Sequence, residues 1–73
     1  MAPEKLIHMA NQVAKFFAHL GDEKAPAAIA DHLAKFWDPR MRADIIGLVA
    51  RGGAAALDPR ALSAVQSLMP TPQ

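Results

Sequence analysis

The sequence predicts an all-α fold, a small bundle of three to four short helices. Large apolar residues recur every three or four positions, and no run alternates apolar and polar residues as a strand does. Proline and glycine divide the 73 residues into segments of helical length. A chain this short is expected to form one domain, residues 1–73, with a flexible tail from about residue 70.

The first helix is predicted to run from Pro3 to Leu20, because proline suits the first position of a helix. Gly21 is expected to end it with a left-handed cap. The apolar stripe of this helix consists of Leu6, Ala10, Val13, Phe17 and Leu20. These residues follow one another at spacings of three and four, which places them on one helical face.

The second helix is predicted to begin near Ala25-Pro26. It must stop by Asp38, because Pro39 disfavours helical geometry in the residue before it. Its stripe consists of Ile29, Leu33, Phe36 and Trp37.

The third and fourth helices are predicted to begin in the same way, with an aspartate cap followed by proline at the first position. The two pairs are Asp38-Pro39 and Asp58-Pro59. Gly52-Gly53 is expected to end the third helix, and residues 54–57 to form a connector. The predicted stripes are Met41, Ile45, Leu48 and Val49, then Leu62, Val65, Leu68 and Met69.

The composition predicts a thin core. Sixteen of the apolar residues are alanine, which buries little surface, and 22 are large. Domains below about 70–80 residues rarely gain more than roughly 3–5 kcal/mol from one core. There is no cysteine, so disulfides and zinc–thiolate sites cannot supplement it. A partner chain remains as the supplement, and the isolated chain is expected to be only marginally folded.

Charge and hydropathy exclude other classes of protein. The net charge is +1, and the eight Lys and Arg residues form no basic stripe for nucleic acid. No apolar run approaches the ~18–20 residues of a membrane span, and the first residues do not read as a signal peptide. Together with the lack of cysteine, these features predict a cytoplasmic protein that binds neither nucleic acid nor membrane.

No pattern indicates catalysis or a metal site. His8 and His19 share a helical face but are about 16 Å apart, too far to share an ion, and His32 lies on another helix. Ser63 has no histidine near it in sequence, so no nucleophilic pair is indicated. We therefore expect no catalytic, cofactor-binding or metal-binding residues in this chain.

Two segments instead suggest contact with a protein partner. Asn11 and Gln12 lie in mid-helix before Phe16; they either face solvent or hydrogen bond a partner's backbone. The second segment, residues 32–42, contains tryptophan, methionine and two arginines, all enriched at interfaces. The predicted partner-binding residues are Asn11, Gln12, Phe16, His32, Phe36, Trp37, Asp38, Pro39, Arg40, Met41 and Arg42.

Within the second segment, Phe36 and Trp37 point about 100° apart, so one can enter the core while the other faces outward. The alternative is that both are core residues and the arginines are solvated. Arg40 and Arg42 lie where the helix dipole favours anions, so a partner's carboxylate is expected to hold one of them. The other is expected to pair within the chain, with Asp38 or Asp44.

The same segments resemble the delta subunit of bacterial soluble, NAD-dependent, molybdenum-containing formate dehydrogenases. The resemblance covers about residues 5–60. It rests on the segments 6–13, 16–17, 29–32, 36–42, 52–53 and 57–59, among which Phe36-Trp37-Asp38-Pro39-Arg40-Met41-Arg42 is the most specific.

The resemblance implies a non-catalytic accessory subunit that binds the alpha subunit and supports assembly, maturation or stability of the enzyme. It implies that alpha holds molybdenum-bis(pterin guanine dinucleotide) and iron–sulfur clusters and oxidises formate to carbon dioxide. Beta and gamma subunits would carry FMN and further clusters and pass electrons to NAD. A free-standing small helical regulator or DNA-binding protein remains the alternative.

Overall fold

A computed structural model describes residues 2–69 and confirms the predicted all-α class. Over that range it contains four α-helices and no strand: α1 Pro3–Phe17, α2 Ala25–Phe36, α3 Pro39–Ala50 and α4 Pro59–Leu68. Turns of 3₁₀ helix follow α1 at Ala18–Leu20 and α3 at Gly53–Ala56. The tail predicted to be flexible lies outside the described residues. None of the helices within residues 2–69 is long and apolar enough to cross a membrane.

Both aspartate caps form as predicted. The Asp38 carboxylate accepts a hydrogen bond of 2.8 Å from the backbone N–H of Met41 at the start of α3. The Asp58 carboxylate accepts one of 2.9 Å from the N–H of Arg60 at the start of α4. Each cap satisfies an N–H group that has no partner inside its own helix. The α2–α3 and α3–α4 boundaries therefore follow directly from local sequence.

The end of the first helix differs from the prediction. α1 gives way to a 3₁₀ turn after Phe17, three residues early. Gly21 has a positive φ of 87°, but its ψ of 162° is extended and is not the left-handed helical cap that was expected. Gly52, with φ 87° and ψ 14°, does adopt the left-handed conformation after α3. The predicted connector at 54–57 is largely the second 3₁₀ turn.

The core draws on all four helices, and α2 packs most extensively against α4. Five of its thirteen buried members are alanines: Ala10, Ala14, Ala25, Ala61 and Ala64. Alanine buries little surface, and the sequence therefore predicted a thin core. Small side chains at a helix contact permit close packing of the helices, and larger neighbours such as Ile29 and Leu33 are fully buried.

The buried rows on α1 and α2 follow a spacing of four residues. On α1 the buried residues are Leu6, Ala10 and Ala14; on α2 and its end they are Ala25, Ile29, Leu33 and Trp37. Rows of this spacing are the ridges that interlock when helices pack. The predicted stripes of these two helices mixed spacings of three and four, and Val13, Leu20 and Phe36, each three residues after the preceding stripe residue, lie outside the buried core.

Candidate partner-binding surface

Four aromatic rings from α1 and α2 form one continuous surface. Phe16 meets Phe17 edge to face with ring centroids 5.0 Å apart, Phe17 lies 5.9 Å from His32, and His32 lies 4.8 Å from Phe36. The two outer members, Phe16 and Phe36, are 71% and 74% exposed. We call these four residues the aromatic surface.

The four-residue packing rows explain why these rings lie outside the core. Phe36 stands three residues after Leu33, whereas Trp37 stands four after it and is only 6% exposed. Phe17 likewise falls off the row that ends at Ala14 and is half-buried. The expectation that one of Phe36 and Trp37 enters the core and the other faces outward is confirmed, and Phe36 is the outward one. Its place in the predicted core stripe was wrong.

Beside the aromatic surface is an apolar groove between α1 and α2. It has a volume of about 260 Å³ and is lined by Gln12, Val13, Phe16, Phe17 and His32. Its walls present almost no polar atoms, so Gln12 and His32 contribute mainly their carbon atoms to it. Contiguous apolar surface of this kind is typical of interaction sites. Three of the five lining residues, Gln12, Phe16 and His32, were predicted to bind a partner.

A second groove, polar in character, lies on the neighbouring face of α1. It also measures about 260 Å³ and is lined by His8, Asn11, Gln12, Lys15 and Asp58. The side chains of Gln12 and His8 hydrogen bond each other at 3.1 Å, one helical turn apart. Gln12 thus borders both grooves.

Asn11 joins α1 to the start of α4. Its amide nitrogen donates a 3.0 Å hydrogen bond to the carbonyl of Ala56, and its amide oxygen accepts a 2.7 Å hydrogen bond from the N–H of Asp58. The amide therefore binds a backbone, as one of the two hypotheses proposed, but the backbone is that of its own chain. Its contact with a partner stays a prediction.

The carboxylate of Asp58 is neutralised within the chain. The Arg60 guanidinium donates to both of its oxygens, at 3.1 Å from Nε and 3.0 Å from Nη2. These hydrogen bonds lower the pKa of the Asp58 carboxyl below its usual value, and burial opposes them only in part. Asp58 consequently adds no unpaired negative charge to the polar groove.

The segment from Trp37 to Arg42 forms the turn between α2 and α3. Trp37 belongs to the core, Asp38 caps α3, and Met41 packs partly buried against the core. Pro39 and Arg40 are exposed. Folding alone accounts for Trp37, Asp38 and Met41, so contact of these three with a partner stays a prediction and finds no support in their geometry.

Arg42 has a role that its sequence context did not predict. Its guanidinium donates hydrogen bonds to the carbonyls of Ala34 and Trp37, at the carboxyl end of α2. The last carbonyls of a helix lack partners and carry the negative end of its dipole. The predicted pairing of one arginine within the chain is thus found, but its acceptors are backbone carbonyls and not Asp38 or Asp44. The prediction considered only the dipole of α3, whose amino end disfavours a positive charge. The carboxyl end of α2 lies beside Arg42 and favours that charge.

This geometry predicts that the two arginines differ in their effect on stability. Arg42→Ala removes two hydrogen bonds and a favourable charge at the α2 terminus, which should lower the free energy of unfolding by about 1–2 kcal/mol. Arg40→Ala, a matched control at an exposed position two residues away, should change it by less than about 0.5 kcal/mol. Thermal melts of the two variants would check this. Equal melting temperatures would show that Arg42 does not hold the end of α2.

The three histidines serve separate local contacts. His8 hydrogen bonds Gln12, and His19 shares a 3.1 Å hydrogen bond through Nδ1 with the carbonyl of Phe16. His32 lies between two phenylalanine rings, edge-on to Phe17 and tilted against Phe36. Among residues 2–69, no three His, Asp or Glu side chains come close enough together to hold a metal ion.

Five residues that line these grooves were not among the predicted partner-binding residues: His8, Val13, Lys15, Phe17 and Asp58. Val13 was predicted as a core residue and Asp58 as a helix cap. Phe17 was assigned to the core stripe, and a four-residue row continued from Leu6 would have excluded it. Lys15 and His8 could have been predicted from Gln12, because residues three and four positions apart share a helical face. The meeting of Phe17 with His32, fifteen residues on, had no signal in the sequence.

A small helical bundle that exposes a contiguous aromatic surface has the features of a protein-interaction subunit. Comparison with protein families gives a specific result: the model of the NADH-dependent formate dehydrogenase delta subunit, FdsD, matches residues 5–65. This chain belongs to that family. Membership implies association with other formate dehydrogenase subunits. No curated protein and no solved structure matched the chain.

Proposed function

We propose that this chain is a non-catalytic accessory subunit that binds the alpha subunit of an NAD-linked formate dehydrogenase through its aromatic surface. In this role it supports assembly, maturation or stability of a complex that also contains beta and gamma subunits. The family match supports membership of the complex. As part of an NAD-linked enzyme it would work in the cytoplasm.

The observation that carries the proposal is the exposure of Phe16 and Phe36 at the two ends of one aromatic surface. Fully burying a phenylalanine side chain is worth about 1.5–3 kcal/mol relative to leaving it exposed. Folding of this chain does not gain this free energy, because both side chains stay exposed. Binding of a partner that covers the surface would gain it. Large exposed aromatic residues are also typical of the anchors that dominate interface energetics.

Under this proposal the redox chemistry belongs to the other subunits. Molybdenum-bis(pterin guanine dinucleotide) and iron–sulfur clusters would reside in alpha, and FMN with further clusters in beta and gamma. Iron–sulfur clusters are held mainly by cysteine thiolates, and this chain has no cysteine. Its described residues therefore do not fit such a group, and its proposed contribution is binding alone.

The test is co-purification with the aromatic surface disrupted. A tagged chain carrying Phe16→Ser and Phe36→Ser is co-expressed with alpha, beta and gamma, and the retained alpha subunit is quantified after a high-salt wash. We expect at least a tenfold loss of alpha, because the two apolar anchors are removed. Helix content should persist, because both side chains are exposed.

The matched control is Ala27→Ser, at an exposed position on the side of α2 opposite Phe36. It should retain alpha at the wild-type level. Full retention by the folded double variant would refute the proposal for this surface. Loss of alpha by both the double variant and the control would indicate a nonspecific effect and would equally count against it.

A further inference from the structure

The apolar groove and the polar groove lie side by side, and Gln12 is common to both. Along α1, Phe16 stands four residues after Gln12 and Lys15 stands three after it, so both lie one turn further along the helix. Lys15 and Phe16 are separated by about 100° around the helix axis. A ligand that entered the apolar groove would therefore have the Lys15 ammonium within reach on one side.

The polar groove has one charge without a partner. Asn11 is bonded to backbone, Asp58 is paired with Arg60, and Gln12 is bonded to His8. Lys15 takes part in neither of the two ion pairs found among residues 2–69, which join Lys35 to Asp31 and Arg60 to Asp58. No acidic residue stands three or four positions from it on α1. The groove therefore presents a single exposed positive charge.

The chemistry of the two grooves selects one kind of occupant. The apolar groove offers almost no hydrogen-bonding atom, so it favours an aliphatic or aromatic side chain and disfavours a sugar or a phosphate. The charge beside it favours an anion. Both requirements are met by a peptide segment with a large apolar residue and a carboxylate on the same face.

We infer that the two grooves form one composite seat for a segment of the alpha subunit that presents an apolar side chain next to an Asp or Glu. The apolar side chain occupies the groove between Val13, Phe16 and Phe17, and the carboxylate pairs with Lys15. On a partner helix the two residues would stand three or four positions apart, because this spacing brings side chains together. The inference rests on the proposed function and adds the chemistry of the partner.

A zero-length cross-link tests the carboxylate directly. A water-soluble carbodiimide joins an ammonium to a carboxylate only when the two are in contact, and mass spectrometry then identifies both residues. In the purified complex we expect Lys15 to be joined to an Asp or Glu of the alpha subunit. A large apolar residue should lie within four positions of that acid. The cross-link should disappear in Lys15→Gln.

Affinity measurements supply a second readout. Lys15→Gln should weaken the dissociation constant for the alpha subunit about threefold to tenfold at ~0.1 M salt, and Lys15→Glu should weaken it further. The difference in dissociation constant between each variant and wild type should vanish at about 1 M salt, where the Debye length is about 3 Å. Lys5→Glu is the control for Lys15→Glu, because it makes the same charge change on the same helix about 15 Å away. It should leave the dissociation constant close to that of wild type.

The outcomes separate this inference from the proposed function. If Phe16→Ser with Phe36→Ser abolishes binding but Lys15→Gln leaves affinity and salt dependence unchanged, the surface binds alpha and the composite seat is refuted. If neither set of variants affects binding, both proposals fail. A Lys15 cross-link to a second copy of this chain would also overturn the inference, since it would make the seat a self-association site.

Discussion

Trp37→Ala should leave the isolated chain largely unfolded. Trp37 is the largest member of the core and is 6% exposed, and it closes the buried row that begins at Ala25. Truncating a buried tryptophan to alanine typically costs about 3–5 kcal/mol, because apolar contact is lost and a cavity remains. A single core in a chain of this size supplies roughly that much in total.

The adjoining aromatic residue provides the control. Phe36→Ala removes a side chain that is 74% exposed, so the free energy of unfolding should change by less than about 0.5 kcal/mol. Far-ultraviolet circular dichroism with urea titration of both variants measures the difference. If Trp37→Ala unfolds at the same urea concentration as Phe36→Ala, the tryptophan does not stabilise the core. That result would favour the prediction that Trp37 contacts a partner.

Asn11→Ala should have the second-largest effect on stability. The substitution removes both hydrogen bonds between α1 and the turn before α4, and leaves the Ala56 carbonyl and the Asp58 N–H without their partner. The Asp58 N–H is partly buried, and an unsatisfied group removed from water costs about 1–3 kcal/mol, whereas the exposed Ala56 carbonyl can hydrogen bond to water. Since Asp58 also caps α4, we expect hydrogen exchange to accelerate most in the first turn of α4.

Two further variants separate the contributions of the two Asn11 hydrogen bonds to stability from a general effect of substitution on α1. Asn11→Asp keeps an acceptor for the Asp58 N–H but loses the donor to Ala56, so its melting temperature should fall between those of wild type and Asn11→Ala. Gln12→Ala removes only an exposed hydrogen bond to His8 and should melt within a few degrees of wild type. If Asn11→Ala and Gln12→Ala have the same stability, the link between α1 and α4 contributes nothing measurable.

Local sequence determined where most helices begin and end. The caps at Asp38 and Asp58 formed as predicted, because each depends on a carboxylate and an N–H two or three residues away. The prolines at 39 and 59 occupy first helical positions for an equally local reason. The end of α1 was less predictable, because glycine permits several conformations and the one that Gly21 adopts is extended.

The candidate surface was predictable only in part. Gln12, Phe16, His32 and Phe36 were singled out from the sequence by residue type, and three-dimensional packing brought them together. Partner contact by the turn at 37–42 stays a prediction, because tryptophan and arginine are enriched at interfaces but also serve in cores and at helix ends. Distinguishing these roles requires knowing what lies beside each residue.

The sequence by itself determined the helical class, the capping and the type of residue available for contact. Only the tertiary structure decided which helical face became the core, because faces with spacings of three and four overlap until neighbouring helices interlock. That choice buried Trp37 and exposed Phe36. It also brought Asn11 to Asp58, 47 residues away, because contacts at such separations depend on how the helices pack and not on any local pattern.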